Sequence, residues 1–206
     1  EDGCIYRFIP REPGALARGG RLQALAIAGQ SSLDTRNRGE RTVRPGDRLP
    51  ARWIDLDDIE APEDDLRHRA WARGAARFAR NEGMWYGNGA VYFASTTGGP
   101  LGLGQIWRYV PSPAEGTSAE SDAPGVLELF IEPNNGDIVR NADNLTVAPN
   151  GDLFVCEDGT GRDRVIIVDP AGRVAPFARN MLGDDEFAGA CFSPDGSTFF
   201  VNIQGS

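Results

Sequence analysis

Three stretches of this chain repeat one layout, and that layout restricts the fold more than any other feature. RFARNEGMWYGNGAVYFAST (77–96), ADNLTVAPNGDLFVCEDG (142–159) and EFAGACFSPDGSTFFVNIQ (186–204) each place an acidic residue first. A short apolar strand, an Asn-Gly or Asp-Gly turn, and a strand rich in Phe, Val and Tyr follow. These dipeptides suit tight hairpins because both residues tolerate positive φ. Within the second copy Leu145 and Val147 share one strand face, as do Leu153 and Val155. Self-similar hairpins at irregular spacing predict an all-β chain built from β-propeller blades, with insertions between strands.

Taken in order, GCIYRFIP (3–10) and RLQALAIA (21–28) read as two strands, so residues 1–30 are expected to be the outer strands of an incomplete blade. Residues 31–76 form a polar insertion. Its part 31–60, punctuated by Gly and Pro, carries no expectation of regular structure. A helix from about 62 to 73 follows, with Pro62 and acids at its start, arginines at its end and Trp71 as its packing anchor. Residues 77–206 then supply two complete four-strand units, EGMWYGN/AVYFAST/QIWRYVP/VLELFIE and NLTVAPN/DLFVCED/RVIIVDP/VAPFARN, and the inner half of a third, GACFSPDG/STFFVNIQ. The low-complexity loop PSPAEGTSAESDAPG in the first unit is expected to be mobile. The result is a partial propeller of about three blade-equivalents, all one domain, with a helical insertion before the first complete blade. Because both ends split a blade, the chain is expected to be part of a longer protein.

Composition narrows the function. The net charge is −9 and the 21 basic residues form no run, so no nucleic-acid partner is expected. No stretch approaches the roughly 20 apolar residues of a membrane span, and the acidic first residues lack the basic-then-apolar layout of a signal peptide. Cys4, Cys156 and Cys191 are too few and too scattered for a zinc pattern or a disulfide framework. His68 is the sole histidine, which disfavours a Ser-His-Asp triad and a histidine-rich metal site. The Gly-rich segment TTGGPLGLGQ (96–105) fits neither a Walker pattern nor a dinucleotide fingerprint and reads as a strand connection near the propeller mouth.

In a propeller the innermost strands line the channel, so residues at their starts gather at one rim. The candidates are Glu82, Asp143 with Asn144, and Glu186, with Glu157 and Asp158 at the end of a neighbouring strand. Carboxylate and amide oxygens suit calcium and other hard cations; the plain alternative is a set of turn-forming, solvent-facing acids. Arg80 stands two residues before Glu82, on the same face of an extended chain. A guanidinium beside a metal-binding carboxylate is a receptor for phosphate, while a surface Arg-Glu pair is the plain reading.

RFARNEGMWYGNGAVYFASTTGG, GQIWRYVP, ADNLTVAPNGDLFVCEDG, FARN and EFAGACFSPDGSTFFVNIQ, in this order, resemble successive landmarks of PhoX-type alkaline phosphatases. The resemblance implies a calcium- and iron-dependent propeller enzyme, periplasmic or extracellular, that hydrolyses small-molecule phosphate monoesters. It implies that Arg80 is the phosphate-binding arginine and that Glu82 and Asp143 are metal ligands, with Glu157 and Glu186 in family-like motifs. The family's amino-terminal half, with its export signal and iron-binding cysteine segment, has no counterpart here. Cys4, in EDGCIYRF, does not take that role, and Gly205-Ser206 stand where the family has Pro-Gly. The alternatives are a calcium-dependent propeller lactonase or esterase and a non-catalytic propeller binding module. Open blade edges at 3–10 and 199–204 predict self-association.

Overall fold

The structure, a computed structural model, describes residues 2–205. Glu1 and Ser206 lie outside the described residues. The chain forms, in order, β1 (Asp2–Gly3), β2 (Tyr6–Pro10), β3 (Gly20–Ile27), β4 (Arg48–Leu56), α1 (Leu66–Ala72), β5 (Phe78–Ala79), β6 (Asn81–Gly87), β7 (Ala90–Ser95) and β8 (Gln105–Val110). It continues with β9 (Val126–Ile131), β10 (Ala142–Val147), β11 (Leu153–Glu157), β12 (Arg164–Val168), β13 (Val174–Arg179), β14 (Glu186–Phe192) and β15 (Phe199–Gln204). Strands β6–β9 pair antiparallel in sequence order, as do β10–β13, and β14 pairs with β15. This is the all-β partial propeller that the repeats predict.

The innermost strands β6, β10 and β14 lie side by side. Glycine permits the first approach: a Cβ on Gly83 would meet the Asp143 carbonyl oxygen at 2.6 Å, and one on Gly87 would meet Val147 Cβ at 2.5 Å. A side-chain bond holds the second, the Ala190 N–H donating to Asn144 Oδ1 at 3.0 Å. Between the first two units Tyr92, Ala94 and Ile106 pack on Leu145, Leu153 and Val155. On the far face of the second, Phe154, Cys156 and Val165 pack on Phe187 and Ala190. Covered from both sides, β11 is buried along its whole length.

The amino-terminal strands differ from expectation. They are not a separate half-blade, because β4 pairs with β3 and, through Arg48, Leu49 and Pro50, with the outermost strand β9. The sheet therefore runs β2-β3-β4-β9-β8-β7-β6, and Leu25 and Ile27 share one core with Phe93 and Trp107. The segment 31–60 thus contains a nine-residue strand. Its alternation of Leu49, Ala51 and Trp53, which pack in that core, is obscured in sequence by Pro50 and flanking charges. The helix starts later than Pro62 because Ala61 and Asp64 hold φ of +38° and +51°, outside the right-handed helical region. Its buried residue is Ala70, while Trp71 lies under the Arg77 guanidinium at 4.2 Å.

The loop 111–125 is also fastened where the sequence suggests mobility. Arg7 bonds Glu115 and, at 2.6 Å, Glu120, and donates to Gln23 at 2.7 Å. The Tyr109 hydroxyl donates to Glu115 at 2.8 Å. Of the three repeated turns, only Asn88-Gly89 has positive φ at both residues; the turns at Gly151 and Gly196 use it at glycine alone.

Candidate active site

All three inner strands carry a register shift against their partners: at the start of β6 and of β10, between Asn81 and Met84 and between Ala142 and Asn144, and midway along β14, between Ala188 and Cys191. Such bulges bend a strand and re-aim its side chains, and Glu82 and Asp143 fall inside the first two. The residues just before β6 and β10, Arg80 and Asn141, both adopt left-handed backbone, φ 48° and 49°. For a non-glycine residue this costs on the order of 1 kcal/mol, and hydrogen bonds hold each in place. The Thr96 N–H donates to the Arg80 carbonyl and the Asp158 N–H to the Asn141 carbonyl, both at 2.9 Å. Asn141 Nδ2 in turn donates to the Thr96 and Gly102 carbonyls at 2.9 and 3.0 Å. The Gly-rich connection between β7 and β8 is thereby held beside the rim.

These devices bring Arg80 among three carboxylates. Its Nη2 donates to Asp158 Oδ2 at 2.9 Å and lies 3.9 Å from Asp143 Oδ1, and its Nε lies 3.3 Å from Glu82 Oε1. Thr96 Oγ donates to the Ala142 carbonyl at 2.9 Å and approaches Asp143 Oδ1 at 3.3 Å. Burial, then the charges of Glu82 and Asp158, push the Asp143 carboxyl above its ordinary range. Glu186 is pushed up by burial and by Asp158 and Asp143. Arg80 is raised despite its burial, by the hydrogen bond to Asp158 and the surrounding negative charge. One guanidinium thus stands against an excess of carboxylates, a donor set that in kind suits a hard cation. Among the described residues no three His, Cys, Asp or Glu side chains are gathered closely enough to hold a metal ion.

The other candidates are placed differently. Asn144 Oδ1 is engaged by Ala190, as above. Glu157 is fully buried, with Oε1 accepting from the Arg140 N–H at 2.8 Å and from Arg164 at 2.6 Å, and Oε2 from Arg164 at 2.7 Å. Its neighbour Asp158 is the one that reaches Arg80. Thr96 and Asn141 escape the reading of sequence, although Asn141 stands before its inner strand where Arg80 stands before β6.

A partial propeller that sets an arginine among carboxylates at the starts of its inner strands has the layout of a site for anions and hard cations. The sequence profile of the family described as Alkaline phosphatase PhoX matches residues 1–206, and the chain belongs to that family. Its fold is similar to that of "Pseudomonas fluorescens PhoX in complex with vanadate, a transition state analogue", with a TM-score of 0.70 and 21% sequence identity. The similarity covers 99% of this chain and 44% of that one. No curated protein matches the chain in sequence. Among the described residues no helix is long and apolar enough to cross a membrane.

Proposed function

We propose that this chain is the carboxy-terminal portion of a secreted, metal-dependent phosphatase acting on phosphate monoesters. The observation that carries this reading is Arg80, shared by Glu82, Asp143 and Asp158 at the rim. Family membership supports it, and so does the vanadate complex of the similar structure.

Arg80 receives the phosphoryl group. Its planar donor fork matches two phosphate oxygens, and the phosphate displaces Asp158 from Nη2. Glu82 and Asp143 would hold calcium, with Glu186 as a further carboxylate, while the Asn144 side-chain oxygen accepts from the Ala190 N–H. Bound there, calcium supplies Lewis-acid polarisation of a phosphoryl oxygen. Asp143 and Glu186, both pushed up by burial and then by neighbouring negative charge, would gain from such a cation. Glu157 is left out of the ligand set, since Arg164 and the Arg140 N–H occupy both its oxygens. The iron that the resemblance implies belongs to a cysteine segment of the family's other half, and the two buried cysteines here are held as thiols. Cys4 donates to the Arg67 carbonyl at 3.7 Å and burial pushes it up to about 11, and burial pushes Cys156 up to about 12.

The test is hydrolysis by the full-length protein of a simple phosphomonoester and of a lactone, each with calcium alone and with calcium plus iron. Metal-dependent phosphate release without lactone opening is expected. Lactone opening favours the esterase reading, and indifference of both reactions to chelator contradicts the metal assignment.

A further inference from the structure

A cleft of about 390 Å³ opens beside Arg80, with Gly3, Tyr6, Arg67, Arg80, Asn81 and Glu82 in its walls. Its guanidiniums come from two separate elements, Arg80 from the turn before β6 and Arg67 from the first turn of α1. Arg67 uses Nη1 for the Asp64 carbonyl at 3.0 Å and the Asp64 carboxylate at 2.9 Å. Among the described residues nothing engages its other nitrogens. Asp64 is 89% exposed, so that pair is screened by water and weak. Asp2, at the same cleft, is already matched by Arg36 and Arg77. Asn81 also lines the cleft, with its Oδ1 accepting from the Ser95 hydroxyl at 2.8 Å.

We infer that this cleft is the leaving-group subsite, and that Arg67 selects phosphate monoesters whose alcohol carries a carboxylate. The inference rests on the phosphatase reading and adds a substrate class to it. At about 30 Å³ per water the cleft holds roughly a dozen waters, which fits a short polar alcohol. With the phosphoryl group on Arg80, a carboxylate on that alcohol meets Arg67 and displaces the exposed Asp64. A charge-assisted, planar donor pair discriminates an anion from a hydroxyl more strongly than neutral contacts do.

The experiment compares 3-phosphoglycerate with glycerol 3-phosphate on the full-length protein and reads the ratio of their kcat/KM values. The unaltered protein is expected to favour the carboxylate ester. Arg67→Ala lowers the ratio by about tenfold, the scale of one charge-assisted hydrogen bond, Arg67→Lys restores part of it, and Arg67→Glu carries it below one. A ratio that none of the three changes overturns the subsite. Equilibrium binding of the two esters is measured alongside. If neither ester is hydrolysed, the phosphatase reading fails, and the subsite still stands or falls on whether Arg67→Ala removes a binding preference for 3-phosphoglycerate.

Discussion

Arg80 and Asp158, 78 positions apart in the chain, hydrogen-bond at 2.9 Å where two blades meet. The contact requires both left-handed residues, Arg80 before β6 and Asn141 before β10, because the Asn141 carbonyl holds the Asp158 N–H. Local backbone geometry in each unit thereby becomes a site shared between units.

Arg80→Ala in the full-length protein is expected to lower kcat/KM for a phosphomonoester by about 10²–10³-fold, the usual cost of losing one preorganised donor to transition-state charge. Arg80→Lys keeps the charge without the fork and recovers part of the loss. Steady-state kinetics with both variants checks this, and an unchanged rate for Arg80→Ala removes arginine from the phosphate site.

Asp143 makes a pH-dependent contribution of definite sign. Its folded pKa is raised above 3.8 by burial and by Glu82 and Asp158, so the fold prefers the protonated form. The penalty is absent at pH well below 3.8, appears as pH rises through the raised value, and persists above it. Asp143→Asn is therefore expected to stabilise the metal-free protein at neutral pH and not at all in strong acid. The same substitution weakens calcium binding. Thermal melts across the acid range, with and without calcium, check both.

Two glycines of the first repeat separate packing from backbone strain. Gly83→Ala places a methyl 2.6 Å from the Asp143 carbonyl, so β6 and β10 must part, at about 2–3 kcal/mol. Gly89→Ala meets nothing within 4 Å but holds φ at +73°, which costs about 1 kcal/mol. Chemical denaturation is expected to rank Gly83→Ala as the worse of the two, and only Gly83→Ala to disturb the rim.

The hairpins, the two complete units and the neighbouring inner strands were legible because turn dipeptides and alternation are local signals. Leu145, Val147, Leu153 and Val155 pack together as their spacing indicates. The strand Arg48–Leu56 was hidden because its partners β3 and β9 lie far away in sequence and Pro50 speaks against a strand. The tethered loop 111–125 was hidden because Arg7 is more than a hundred residues from Glu115 and Glu120. At the site, Glu82 and Asp143 stand out in the sequence because an acidic residue recurs at each repeat's start, and Arg80 because it lies two residues before Glu82; the structure brings the three together at the rim. The distinction between Glu157, sealed by Arg164, and Asp158, facing Arg80, depends on which way β11 ends, and composition carries no trace of that.

Arg7→Ala tests that tether. It leaves Glu115 and Glu120, both partly exposed, without their shared cation, at a cost of about 1–2 kcal/mol once solvent screening is allowed for. Limited proteolysis is expected to cut within 111–125 faster than in the unaltered protein. Unchanged cleavage there contradicts the tether.

Whether the starts of the inner strands form a metal-assisted phosphate site is decided by Glu82→Gln. Calcium affinity and phosphomonoester hydrolysis of the full-length protein are measured together for this variant and the unaltered protein. The account predicts that both fall in parallel, with added calcium restoring part of the activity. Unchanged calcium affinity and unchanged metal dependence of the rate contradict it.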